Sequence, residues 1–202
     1  MSEKAPTPAG PEPPESGQPV PICQYGEPVL RQRARPVRRI NAAVRALAKR
    51  MAEAMYAVNG VGLAAPQIGE PRRVITVDTG DELLTLINPR LVGAEGRDTD
   101  VEACLSVVGL CGEVERYEKV IVRALDLKGK EITVEGEGFL ARVLQHELDH
   151  LDGVLFVDRA TSVSPVEKKE EAADGGGAGD ETDGDEEPSD EAPTADQEAP
   201  RR

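Results

Sequence analysis

Both histidines of this 202-residue chain stand four positions apart in one string, Gln145-His146-Glu147-Leu148-Asp149-His150. On an α-helix, positions i and i+4 share a face, so the two imidazoles can reach one ion. Glu147 stands slightly aside from that face. It is near enough to take a proton from a water on the ion and is not placed as a third ligand. The string therefore points to metal-assisted hydrolysis. An ordinary buried histidine pair has the same spacing, but two buried imidazoles without a metal or hydrogen-bond acceptors would be costly. Hydrolytic sites of this kind commonly use three protein ligands and keep one position open. With no further His, the third ligand must be a Cys or a carboxylate. Cys104, in Glu102-Ala103-Cys104-Leu105-Ser106, leads Cys111, Cys23 and the carboxylates, because its short apolar segment has polar flanks. The alternative for Cys104 is a small buried hydrophobe.

Several elements must position these groups. From Gly138 to Leu151, Phe139, Val143, His146 and His150 fall on one helical face, and Leu140, Leu144, Leu148 and Leu151 on another. A helix apolar on two faces is central and buried, and Gly153 is a natural stop. Pro36–Val58 predicts a long amphipathic helix: Ile40, Val44, Leu47, Met51, Met55 and Val58 share a face, opposite Arg45, Lys49, Arg50 and Glu53. Asn59-Gly60 ends it. Gly60–Gly69 follows, rich in glycine and small residues. It lacks the Lys-Ser/Thr of a phosphate loop and the third glycine of a dinucleotide fingerprint. It suits a turn, or backbone held close to a ligand with Gln67 as an amide donor. Arg73–Asp78 and Leu83–Asn88 read as strands around Gly80. Pro89–Asp100 reads as a short strand and polar loop, and Val101–Val108 carries Cys104. Lys119–Asp126 and Glu131–Glu135 form a hairpin around Lys128-Gly129. Helix, strands, then helix, without βαβ alternation, predicts an α+β fold. Small antiparallel sheets would pack around a central buried helix carrying HExxH, with a long N-terminal amphipathic helix.

Composition sets the boundaries. Residues 1–19 hold Pro6, Pro8, Pro11, Pro13, Pro14 and Pro19 and read as a disordered Pro-rich arm. Residues 166–202 carry 14 acids and 4 bases and read as a disordered acidic tail. That tail supplies −10 of the chain's −14, so residues 1–165 carry only −4 and the acidity says little about the folded domain's ligand. Residues 20–165 remain as the catalytic domain. No N-terminal apolar region or membrane-length apolar run is present, and three cysteines without framework spacing fit a reducing cytoplasm. No basic, aromatic-interleaved stripe suggests nucleic acid.

Three segments together resemble the peptide deformylase family. Gly60-Val61-Gly62-Leu63-Ala64-Ala65-Pro66-Gln67 is similar to that family's first motif, Glu102-Ala103-Cys104-Leu105-Ser106 to its second, and His146-Glu147-Leu148-Asp149-His150 to its third. Their order and spacing also agree, and the resemblance covers about Pro21 to Arg159. It implies a metal-dependent hydrolase that removes the formyl group from N-formylmethionyl nascent peptides, giving formate and a free Met amino terminus. It implies Cys104, His146 and His150 as ligands of Fe²⁺, with Zn²⁺, Ni²⁺ or Co²⁺ able to occupy the same site. It implies Glu147 as the proton carrier, and Gln67 with the Leu105 backbone N–H as oxyanion donors. The peptide would lie extended along backbone at Val61, Gly62 and Ala103, with its Met side chain among Val61, Phe139, Val143 and His146. A cytoplasmic monomer follows, without membrane or direct nucleic-acid binding, and with at most transient contact with the ribosome.

The chain departs from the family at Ala103, where Gly is usual, at Val108, where Pro is common, and at its end, where many relatives carry a basic ribosome-docking helix. A methyl group at position 103 narrows the cleft or strains the strand if φ must be positive. This feature sustains the rival reading, a catalytically weak paralogue that binds formylated peptides. A protease of the HExxH type would need a further ligand downstream of the helix.

Overall fold

The computed structural model describes residues 20–166. The Pro-rich arm and the acidic tail beyond Val166 lie outside the described residues. Two antiparallel sheets and two α-helices make an α+β fold. The larger sheet has the order β1-β2-β3-β6-β7, from β1 (Gly62–Ala64), β2 (Val74–Val77), β3 (Leu84–Glu95), β6 (Lys119–Leu125) and β7 (Glu131–Glu137). The smaller has the order β4-β5-β8, from β4 (Asp98–Cys104), β5 (Val107–Arg116) and β8 (Ser162–Pro165).

Period-two alternation gives the larger sheet two apolar faces. Ile75, Val77, Leu86, Val120 and Val122 pack with Ala141, Leu144, Leu148 and Leu151 of α2 (Gly138–Asp152). Val74 and Ile87, the intervening positions, pack with Val44, Leu47, Met51 and Met55 of α1 (Ala42–Ala57). Each fully buried aliphatic side chain here contributes roughly 1.5–3 kcal/mol. A third cluster, with Leu30, Val107, Val114, Leu155 and Phe156, closes around Cys104 under the smaller sheet. The last turn of α2 ends at Gly153, in the left-handed region at φ 76°, where an added Cβ would lie 2.7 Å from the Arg31 carbonyl oxygen.

Four segments differ from the sequence expectation. The helix expected over Pro36–Val58 begins only at Ala42, because the Asn41 side chain caps it by accepting from the Val44 N–H at 3.1 Å. The preceding residues are held instead by other partners. The Arg35 N–H donates to the Pro71 carbonyl at 2.8 Å, and the Val37 N–H donates to Asn88 Oδ1 at 2.8 Å. The strand expected to end at Asn88 runs on to Glu95. Register shifts between Ile87 and Arg90, and again between Leu91 and Gly93, absorb Pro89 without ending the pairing with β6. The Val101–Val108 segment is the end of β4, a turn, and the start of β5. Finally, β8 was not anticipated. Ser-Val-Ser-Pro has no apolar alternation, and its pairing with β5 is a backbone match that periodicity cannot report.

Candidate active site

Cys104 ends β4, His146 and His150 sit one turn apart on α2, and the fold brings their ligating atoms within 4.8 Å of one another. Cys104 Sγ lies 3.2 Å from His150 Nε2. The two imidazole rings meet edge-on at 5.0 Å between centroids. One soft sulfur and two imidazole nitrogens, convergent, with Cys104 and His150 buried and His146 partly so, are a donor set for a first-row transition metal. His150 Nδ1 and Glu147 Oε2 are buried without a hydrogen-bond partner among the described residues. An uncompensated carboxylate oxygen beside three convergent donors fits a site built to hold a metal and a polar substrate.

Glu102 was not singled out in the sequence. It is buried, and its carboxylate meets the Arg116 guanidinium at 2.8 and 2.9 Å, Arg142 Nη1 at 3.0 Å and His146 Nδ1 at 2.9 Å. The last contact fixes how His146 presents its other nitrogen to Cys104. Burial pushes the Glu102 carboxyl up, but Arg116 and His146 outweigh it and hold it at about 2. Arg116 continues to Asp149 Oδ2 at 2.5 Å, and Arg159 binds the same carboxylate at 2.6 Å. A chain of alternating charges thus runs behind the His pair. Its one sequence signal is that Glu102 and Cys104 share a strand face by period two. Burial of the acid is tolerable only because two arginines from other elements reach it.

Burial pushes Glu147 up to about 7, with His146 opposing the shift. A carboxyl poised there can both accept and return a proton near neutrality. Burial lowers His150 well below its ordinary range. It would lower His146 too, but Cys104 and Glu102 reverse the balance and raise it to about 10.

A cleft of about 340 Å³ opens in front of these groups. Gln67, Leu105, Val61, Ala103, Phe139 and Val143 line it, so the residues expected at the site from separate segments share one cavity. Gln67 is 1% exposed. Its Oε1 accepts from the Ala64 N–H at 2.7 Å, which fixes the amide so that Nε2 faces Ser106 Oγ at 3.2 Å and Cys104 Sγ at 3.7 Å. Gly62 lies so close to α2 that an added Cβ would stand 2.5 Å from Glu147 Oε1. Phe139, expected within an apolar pocket, is 57% exposed and stands at the mouth. Ala103 is exposed on β4 and is absent from the residues with positive φ, so its methyl group meets no backbone strain. β1 and β4 are edge strands of their sheets, so each has one side beside the cleft that pairs with no strand among the described residues.

Residues 19–166 match the family model described as polypeptide deformylase. The peptide deformylase of Symbiobacterium thermophilum is 52% identical over 151 residues, covering 71% of this chain and 70% of its own length. That of Carboxydothermus hydrogenoformans is 48% identical over 142 residues, covering 70% of this chain and 93% of its own. Among solved structures, the Thermotoga maritima peptide deformylase superposes with a TM-score of 0.70 at 38% identity, covering 72% of this chain and all of that one. The Synechococcus elongatus peptide deformylase in complex with actinonin gives a TM-score of 0.70 at 38% identity, covering 78% of this chain and 87% of that one.

Proposed function

This chain belongs to the polypeptide deformylase family and removes the formyl group from the N-terminal methionine of new polypeptides, and we propose that it does so with Cys104, His146 and His150 holding the metal and Glu147 carrying the proton. The observation that carries the assignment is the convergence of one sulfur and two imidazoles beside a buried carboxylate with an unpartnered oxygen. One thiolate and two imidazoles suit a divalent first-row metal; the resemblance to the family points to Fe²⁺ as the resident ion, with Zn²⁺, Ni²⁺ or Co²⁺ able to replace it. When bound, the metal supplies Lewis acidity that polarises the formyl group and acidifies water.

Glu147 Oε2 takes the proton of the attacking water and returns it to the departing amine nitrogen. The carboxyl's position near 7 suits both directions. Gln67 Nε2 and the Leu105 backbone N–H donate to the oxygen that gains charge at the formyl carbon. The peptide lies extended between the edge strands β1 and β4, against backbone at Val61, Gly62 and Ala103. Its methionine side chain enters the apolar wall formed by Val61, Val143 and His146, with Phe139 closing the mouth. Ala103, exposed and unstrained, does not favour the binder reading.

Residues 20–165 form the catalytic domain on this reading, with α2 as its central helix, α1 as its N-terminal amphipathic helix, and the arm and acidic tail outside it. No helix among the described residues is long and apolar enough to cross a membrane. We place the enzyme in the cytoplasm as a monomer that meets its substrates transiently at the ribosome.

The test is formate release from formyl-Met-Ala-Ser by anaerobically prepared protein. Wild type should turn over. Glu147→Ala should keep about one ion per chain yet lose roughly 10²–10⁴ in rate. Metal lost together with rate in that variant would make Glu147 structural, and no formate from the metal-loaded wild type would end the reading.

A further inference from the structure

Residues 31–50 hold Arg31, Arg33, Arg35, Arg38, Arg39, Arg45, Lys49 and Arg50 and not one Asp or Glu. Four of these cations are compensated in the fold. Arg31 pairs with Asp158, Arg33 with Asp152, Lys49 with Glu53, and Arg50 with Glu70. Arg35, Arg38, Arg39 and Arg45 are exposed and form no ion pair among the described residues. The first three line a cleft of about 360 Å³, with Asn41 and Arg72 on its wall. Its single acid, Glu70, is already bound by Arg50 at 3.0 Å and Arg72 at 3.5 Å.

The backbone under this surface is held from both sides. Arg35 pairs with Arg72 in a parallel bridge, the Ala34 N–H donates to the Leu151 carbonyl at 2.8 Å, and Asn88 bonds both backbone groups of Val37. The backbone from Ala34 to Val37 is therefore held in place, while the exposed guanidinium groups of Arg35, Arg38, Arg39 and Arg45 have no acidic partner among the described residues. Planar, weakly hydrated guanidinium forks match phosphate oxygens in charge and geometry.

We propose that this surface binds the phosphate backbone of RNA. No large exposed apolar side chain lies between residues 31 and 50, so the surface lacks the anchors that a membrane interface or an apolar peptide groove uses. It also lacks an aromatic residue for stacking on unpaired bases, which favours a structured duplex read by shape and charge. An enzyme whose substrates are new polypeptides works where structured RNA is concentrated, and a local cationic face holds it there without involving the catalytic cleft. The two clefts share no lining residue. The proposal departs from the expectation of no nucleic-acid partner, which rested on the lack of a basic, aromatic-interleaved stripe. Residues 31–50 carry the cations of such a stripe without its aromatics.

The experiment is fluorescence anisotropy of a labelled RNA hairpin with the full, metal-loaded chain. About four phosphate contacts imply a slope of log affinity on log salt of roughly −3 to −4, so affinity should fall roughly 100-fold between 50 and 200 mM salt. Arg38→Glu/Arg39→Glu/Arg45→Glu should abolish measurable binding at 100 mM salt, while formate release and melting temperature stay at wild-type values. A glutamate at position 45 sits in the first turn of α1, where negative charge is favourable, so folding is protected. A milder Arg38→Gln/Arg39→Gln variant should weaken binding by an intermediate factor. Unchanged RNA affinity in the triple variant overturns the proposal. So does absence of wild-type binding at 50 mM salt, or binding to phosphatidylserine vesicles without binding to the hairpin.

Discussion

Replacing Gly62 by Ala tests how the site is built with a single methyl group. The new Cβ would stand 2.5 Å from Glu147 Oε1 and 2.8 Å from Val143 Cγ1, where real Cβ contacts do not fall below 3.0 Å. Something must retreat by about 0.5 Å. The end of the Glu147 side chain is the softest neighbour, and it is the proposed proton carrier. Misplacing a reacting group by about 1 Å costs on the order of 10²-fold, so a shift of half that should lower kcat by roughly 10-fold, or about 1.4 kcal/mol in the barrier. Overpacking should lower stability by about 1–3 kcal/mol. The metal ligands are untouched, so metal content should hold. The assay is steady-state formate release from formyl-Met-Ala-Ser with metal analysis and thermal melting alongside. A fall in kcat at constant KM locates the damage at Glu147. A rise in KM with kcat within threefold of wild type would refute this reasoning and assign the glycine to close approach of the peptide backbone.

Two further outcomes follow from the same geometry. Glu102 is held at about 2 against an ordinary 4.5, so its contribution to stability is fully present above pH 4.5 and fades as pH falls toward 2. The effect is at most about 3 kcal/mol, and a stability profile of Glu102→Gln should lack this acid limb; an identical limb in both proteins would remove Glu102 as its source. At position 103 the extended backbone accepts Ala, so Ala103→Gly should leave kcat/KM within about threefold while costing about 0.5–1 kcal/mol of stability. A tenfold gain in kcat/KM would show instead that the methyl group crowds the peptide.

What could be read from the sequence was what depends on local geometry. His146 and His150 had to share a face because the helix repeat fixes i and i+4; α2 stops at Gly153 and buries Val143, Leu144, Leu148 and Leu151, while Phe139 at its start is exposed. Leu47, Met51 and Met55 had to face one way for the same reason. The start of α1 was misplaced by six residues because a cap outside the helix, Asn41, competes with continuation of the periodic pattern. The expected boundary between residues 20–165 and the acidic tail rests on composition alone, since the tail lies outside the described residues. The tertiary structure alone decided which groups meet across the sequence. Arg116 and Arg142 reach Glu102 from different elements, and nothing in Glu-Ala-Cys says that its acid is buried and bound to His146. The passage of β3 through Pro89 and the pairing of β8 are matters of register, set by partner strands rather than by the strands' own pattern. Likewise, eight cations are visible in residues 31–50, but only the fold determines which find acids and which stay free. Periodicity records the contacts a segment makes with itself and the side it buries. It carries no record of partners 40 residues away, whose positions are fixed only when the sheets and helices pack.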